Sequence, residues 1–308
     1  MPRRLGLAER QSPGLRRRVK AQRILREATA CLASLRWHKP HQLAVLALFK
    51  NEAHVLAEWV EHYAAEGATA IHLVNNNSTD NYLTPLAPFL ASGLVTLHHD
   101  SRLHAQRTIY NEQLQRLRPL CHWLLVCDLD EFVYARGSHQ RCVDALRQLS
   151  PLVSSVQIPW KMFGSSGHGR QPAEGVRAGF IHRANADNRL QPHPCMPTPH
   201  AIAGKTIARS SRIRSLDVHS CNLLWGRRIL PDGSPARRGS FQPISEALLT
   251  RSALHLNHYA IQSEELFRSV KMSRGDVNST DYSNVRDLAY FHRYDVNELR
   301  DEELARRC

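Results

Sequence analysis

From Leu43 onward the chain alternates short, almost wholly apolar runs with longer stretches whose apolar residues recur at helical spacing, and few folds accept that pattern. A strand that is apolar on both faces must be covered on both faces, so the alternation predicts α/β architecture: a mainly parallel sheet with helices on each side. The predicted strands span residues 43–49, 70–74, 94–98 and 122–127, and the predicted helices 52–66 and 106–117. Segment 83–91, interrupted by Pro85 and Pro88, reads as short and irregular. Such a sheet places its binding crevice at the carboxyl ends of the strands. Lys50, Asn51, the turn 75–80 and Asp128–Asp130 would gather there.

Beyond residue 150 the pattern is weaker. Strands are expected over 153–158, 177–182, 205–208 and 254–259, and a Gly/Ser-rich loop over 160–169. A helix is expected over 263–272, with Ser263 as N-cap and Glu264 and Glu265 in its first turn. Residues 184–200, with four prolines, read as a surface excursion. Three segments follow: a basic arm over 1–40, an α/β domain over 41–276 and a helical tail over 277–308.

An apolar content of 42% over 308 residues is enough for a proper core. The net charge of +13 is unevenly placed, because residues 1–39 hold eleven of the 41 Lys and Arg against only Glu9 and Glu27. Leu15, Val19, Ile24, Ala28, Cys31, Leu32 and Leu35 give that arm roughly helical spacing between its arginines. A basic amphipathic helix of this kind packs on its domain, docks on an anionic membrane surface or binds nucleic acid. Its one aromatic, Trp37, gives little for base stacking, so no nucleic-acid partner is expected. No run of 18 apolar residues occurs, and the N-terminus lacks the apolar core of a secretory signal. The expectation is a cytoplasmic protein, with peripheral contact at the inner membrane face as an option. Seven cysteines without a Cys-x-x-Cys suit free thiols in a reducing compartment. His193, Cys195 and His200 match no standard zinc spacing.

Asp128-Leu129-Asp130 follows the apolar run His122-Trp123-Leu124-Leu125-Val126-Cys127, where a strand should end. Carboxylates one residue apart at a strand exit can both reach one divalent cation, because the chain is leaving the pleat there. A solvated turn is the alternative for an isolated Asp-x-Asp.

Several further pieces occur in order: Lys50-Asn51-Glu52 with Glu58-Trp59 and His62, the turn Asn75 to Asp80, and Asp128-Leu129-Asp130-Glu131-Phe132. Trp160-Lys161-Met162-Phe163-Gly164-Ser165-Ser166-Gly167 follows, then Asn257-His258-Tyr259 with Ser263 and Arg274-Gly275. Together, over about residues 44–276, they resemble the glycosyltransferases of the GT-A fold, in the family 2-like group related to family 92.

The resemblance implies transfer of a sugar from a nucleotide-sugar donor to a glycan or lipid-linked acceptor, with inversion, using Mn2+ or Mg2+ between the donor diphosphate and the Asp pair. Asp128 would then lie toward the ribose or metal and Asp130 on the metal, with His258, or alternatively His219, completing the shell. Lys50, Asn51, Glu52 and Asn76 would surround the nucleoside, and Lys205 would meet phosphate or else be a surface lysine. Asp80 would join them or merely cap the next helix. Trp160, Phe163, Gly164 and Ser165 would form an acceptor platform, with a buried core Trp as the alternative. The base that takes the acceptor proton is not identified by the sequence; Glu131 and Asp217 are the first candidates, with Glu174 and Asp187 remaining.

Overall fold

The computed structural model describes residues 39–188, 201–273 and 286–307. Residues 1–38 of the basic arm and the excursion residues His193, Cys195 and His200 lie outside the described residues. Residues 39–308 form one compact unit. The strands are β1 (His41–Phe49), β2 (Ala70–Asn75), β3 (Val95–His99), β4 (Cys121–Val126), β5 (Glu131–Ala135), β6 (Val153–Met162), β7 (His182–Arg183), β8 (Ala201–Ile202), β9 (Gly204–Arg209), β10 (Ile213–Leu216), β11 (Cys221–Leu223), β12 (Arg227–Ile229), β13 (Gln242–Pro243), β14 (Leu254–His258) and β15 (Leu299–Arg300).

Nine of them form the central sheet in the order β3-β2-β1-β4-β9-β6-β14-β5, with β12 paired to β6. Pairs β3-β2, β2-β1, β1-β4, β6-β14 and β6-β12 are parallel, and β4-β9, β9-β6 and β14-β5 antiparallel. The expected mainly parallel α/β sheet is therefore observed, with antiparallel pairs in its second half.

Alternation along β1 explains why both faces need cover. Leu43, Val45, Ala47 and Phe49 enter one core with Val55, Leu56, Trp59 and Val60 of the helix Ala53–Ala65. Ala44, Leu46 and Leu48 enter a second core with Ile109, Tyr110, Leu114 and Leu117 of the helix Gln106–Leu117. Successive side chains of one strand point to opposite faces, so a continuous apolar run feeds two cores.

Four local expectations are corrected. Residues Leu83–Ala91 form a helix despite Pro88 in its interior, anchored by buried Leu86. Pro85 sits in the first turn, where no backbone donor is needed. β6 continues through Trp160 to Met162, because β14 pairs with that end of it. Residues 177–181 are not a strand: a short helix Val176–Gly179 stands there, its first amides held by the Glu58 carboxylate, and only His182 at the end of the expected segment joins a strand, β7. The helix expected over 263–272 begins as predicted at Ser263, whose hydroxyl accepts from the Leu266 amide, but Phe267–Lys271 is a π-helical turn closed by Met272 N to Phe267 O at 2.9 Å.

The C-terminal segment is only partly helical among the described residues, with a helix Leu288–Tyr294 followed by β15 on β7. A buried network fixes it to the sheet. Lys161 Nζ lies 2.6 Å from Asp301, which also accepts from Arg183 at 2.7 Å. No helix among the described residues is long and apolar enough to cross a membrane. The described cysteines 121, 127, 142 and 221 are buried free thiols.

Candidate active site

Because β1, β2, β3 and β4 run parallel, their carboxyl ends meet along one edge, and the β4–β5 corner carrying Asp128 to Glu131 projects there. The corner is braced from below by the helix Ala53–Ala65. The Trp59 indole donates to the carbonyls of Asp128 at 3.0 Å and Glu131 at 3.1 Å. Tyr63 OH donates to Glu131 O at 3.0 Å and accepts from Val133 N, and His62 Nε2 donates to Val133 O at 2.8 Å. Burial pushes the His62 imidazole down to about 3, so it holds this place neutral.

Glu131 is fully buried. One carboxylate oxygen accepts from the Trp160 indole at 2.7 Å and the other from the Asp128 amide at 2.9 Å. Burial, with Asp128 nearby, raises its pKa against the pull of Lys205. Such a group, buried with both oxygens engaged, anchors the turn.

Asp128 and Asp130 each face a buried ammonium. Lys205 Nζ lies 2.7 Å from Asp128 and 3.4 Å from Glu131, and donates to Val218 O at 3.0 Å. Burial disfavours its charge, but Asp128 and Glu131 outweigh that and push its pKa up. Gly204 allows this: any Cβ there would strike the Ile158 carbonyl, so only glycine brings β9 this close to β6. Lys271 Nζ lies 2.6 Å from Asp130 and donates to Ala260 O at 2.6 Å and Tyr259 O at 3.4 Å.

Burial would raise Asp130, yet Lys271 and His258 hold it well below the usual carboxylate range, while burial lowers Lys271. We assign an ion pair, since three acceptors surround Nζ and only an ammonium has three protons to give them. Arg286 and Glu52 stand within electrostatic reach of this pair.

His258 lies directly across from Glu131 in the β14–β5 register, with Nε2 3.5 Å from Asp130 and a buried Nδ1 lacking a hydrogen-bond partner. Trp160 stands between two histidines, its ring centroid 4.5 Å from His258 and 5.2 Å from His219. Trp160 is half-buried at the site's edge. Burial, with Lys205 and His258 nearby, holds the His219 imidazole well below its ordinary range.

The donor set of two carboxylates and an imidazole suits a hard divalent cation. However, among the described residues no three His, Cys, Asp or Glu side chains converge as a ready-made cage. Asp130 and His258 converge; Asp128 is turned to Lys205. The residues fit such an ion on the condition that the lysines yield the carboxylates.

The nucleoside candidates are close by but mostly bonded to one another. Asn51, at φ 53°, accepts from Thr79 N at 2.7 Å on its side-chain oxygen and donates its own backbone amide to the Ser78 hydroxyl at 3.0 Å. Asn76 donates to Asp100 O at 2.6 Å and Arg102 O at 3.0 Å, which ties the turn after β2 to the chain after β3. Asp80 accepts from Ala53 N at 2.8 Å, so it caps the preceding helix rather than the next one, and its other oxygen is buried without a partner. Glu52 is buried at that helix's N-cap, and Lys50 is half-buried beyond β1.

The four residues expected to form an acceptor platform do not share one surface. Phe163 is buried against Tyr259 at 4.8 Å. Gly164 touches Asn297, and Ser165 N donates to Asp295 at 2.8 Å. This loop holds the C-terminal segment, leaving Trp160 as the aromatic at the site. Asp217 is half-exposed, 3.5 Å from Arg107 at the site's rim.

Lys271 and Arg286 were missed by sequence reasoning. Lys271 carried a usable signal, since it falls four residues after buried Phe267 on the same helical stripe, where a lysine must find a buried partner.

The model of Glycosyltransferase family 92 matches residues 42–299, and the chain belongs to that family. A family 92 protein of Ricinus communis is 24% identical over 258 residues, covering 82% of this chain and 42% of that protein. One of Arabidopsis thaliana is 24% identical over 239 residues, covering 74% and 37%. The chain thus spans less than half the length of these curated relatives. Among solved structures, Staphylococcus aureus TarS 1–349 aligns with 55% of this chain and 47% of its own at 14% identity and a TM-score of 0.34.

Proposed function

We propose that this chain is a glycosyltransferase that moves a sugar from a nucleotide-sugar to a hydroxyl of a glycan or lipid-linked acceptor, with inversion, in the family 2-like manner. The observation that carries the reading is the Asp128/Asp130 pair with Lys205 and Lys271 at 2.7 and 2.6 Å, set where the parallel strands end. Family membership supports the reaction class.

In the reaction, the acceptor oxygen bonds to the anomeric carbon as the bond to the diphosphate oxygen breaks. The electron pair leaves on the diphosphate and the hydroxyl proton passes to a base. Asp128, Asp130 and His258 would hold Mn2+ or Mg2+, which when bound supplies positive charge against the departing diphosphate. Lys205 and Lys271 add positive charge in a water-poor corner, where it acts strongly. Trp160 offers an aromatic face to a sugar ring. Of the two first base candidates, Asp217 is the reachable one, since Glu131 is buried with both oxygens engaged. Its neighbours connect it to the site: Val218 O meets Lys205 and His219 meets Trp160.

A thermal-shift panel of nucleoside diphosphates with and without Mn2+ tests the reading. One nucleotide should raise the melting temperature of the full chain, and Asp130→Asn should remove the rise. Absence of any nucleotide-dependent shift together with no sugar transfer to lipid or glycan acceptors overturns it.

A further inference from the structure

Each aspartate of the candidate site already has a counter-ion of its own. Lys205 is fully buried and Lys271 nearly so, and both are positioned from behind by carbonyls: Val218 for the first, Ala260 and Tyr259 for the second. The chain builds a π-helical turn to deliver Lys271 to Asp130, a device concentrated at functional sites. A divalent cation placed on these carboxylates would stand beside two ammonium groups in a region of weak screening, and the repulsion opposes its entry. A diphosphate brings the negative charge that the ammonium groups would otherwise lose.

We propose that Lys205 and Lys271 are resident counter-ions that keep a divalent cation off Asp128 and Asp130 until a nucleoside diphosphate enters and draws the ammonium groups onto its phosphate oxygens, so that cation and nucleotide are taken up together. This rests on the glycosyl-transfer reading and adds an order of binding to it. Only side chains move: each lysine exchanges one oxygen partner for another while its carbonyl partners stay in place.

The test is Mn2+ binding by the full chain, followed by the paramagnetic resonance of free Mn2+, alone and with UDP, GDP or CDP in turn. The wild-type chain should take up Mn2+ weakly alone and at least about tenfold more tightly with one nucleotide, and that nucleotide should gain the same factor from Mn2+. Lys271→Met should bind Mn2+ alone about tenfold more tightly than wild type, with the coupling reduced. Should that variant not fold, Lys205→Met gives the same comparison. Equally tight Mn2+ uptake with and without nucleotide overturns the inference, as does a folded lysine variant with unchanged Mn2+ affinity. A chain that binds a nucleotide without coupling to Mn2+ overturns only this inference. One that binds no nucleotide under any condition overturns the glycosyl-transfer reading with it.

Discussion

The Trp59 indole nitrogen donates to the main-chain oxygen of Asp128 at 3.0 Å from a helix 69 positions earlier, and this contact helps to hold the carboxylate corner in place. The same nitrogen serves Glu131 O at 3.1 Å, so one buried side chain satisfies both ends of the turn. Trp59→Phe would remove one donor from each carbonyl, while the Tyr63 hydroxyl still reaches Glu131 O and the Glu131 amide still reaches Asp128 O, and would leave a small void. We expect a loss of about 2–4 kcal/mol in denaturant unfolding, with weakened nucleotide affinity in the folded remainder. Unchanged stability would show that the brace is dispensable.

Asp130 and Lys271 lie 141 positions apart yet form a buried pair at 2.6 Å. Asp130→Ala strands a buried ammonium and should cost about 3–5 kcal/mol. The double variant Asp130→Ala/Lys271→Met removes both charges and should recover most of that loss. Additive costs in the double-mutant cycle would mean that the two side chains do not interact.

Acid sensitivity follows from buried neutral imidazoles. Burial lowers His62 and His255 to about 3 and His72 to about 4, all below the ordinary value of 6.5. The unfolded chain therefore binds more protons between 6.5 and these values, so stability is lost as pH falls below about 6.5 and is flat above it on their account. Glu66 and Glu131, raised by burial, act in the opposite direction above 4.5. His62→Gln keeps a donor for Val133 O without a titrating ring. Melting curves from pH 8 to 5 should show a smaller acid-side decline for that variant than for wild type; identical slopes would contradict the assignment.

Asp80 joins the second turn to the first by accepting from Ala53 N at 2.8 Å. Asp80→Ala should cost about 0.5–2 kcal/mol as a lost helix cap, and should speed amide exchange at Ala53. Asp80→Asn, which keeps an accepting oxygen, should recover most of the loss. Equal destabilisation by both would place the effect elsewhere.

The sequence by itself determined the parallel half of the sheet, its helices on both faces and the exit of a strand into Asp128 and Asp130. Those features are written in local periodicity: the alternation through 43–49 directs residues into two cores whatever follows later in the chain. It also marked Lys205 and His258 through their place in a motif set. Only the tertiary structure decided what those residues face. Glu131 became an anchor because Trp160, reaching it from another strand, occupies its oxygen. The loop 163–167 turned to the C-terminal segment because Asp295 and Asn297 receive its amides. Lys205 and Lys271 reached the carboxylates across 77 and 141 positions. Pairings of that range depend on how the sheet closes, since a charge's partner is fixed by distance in space and no local period encodes it.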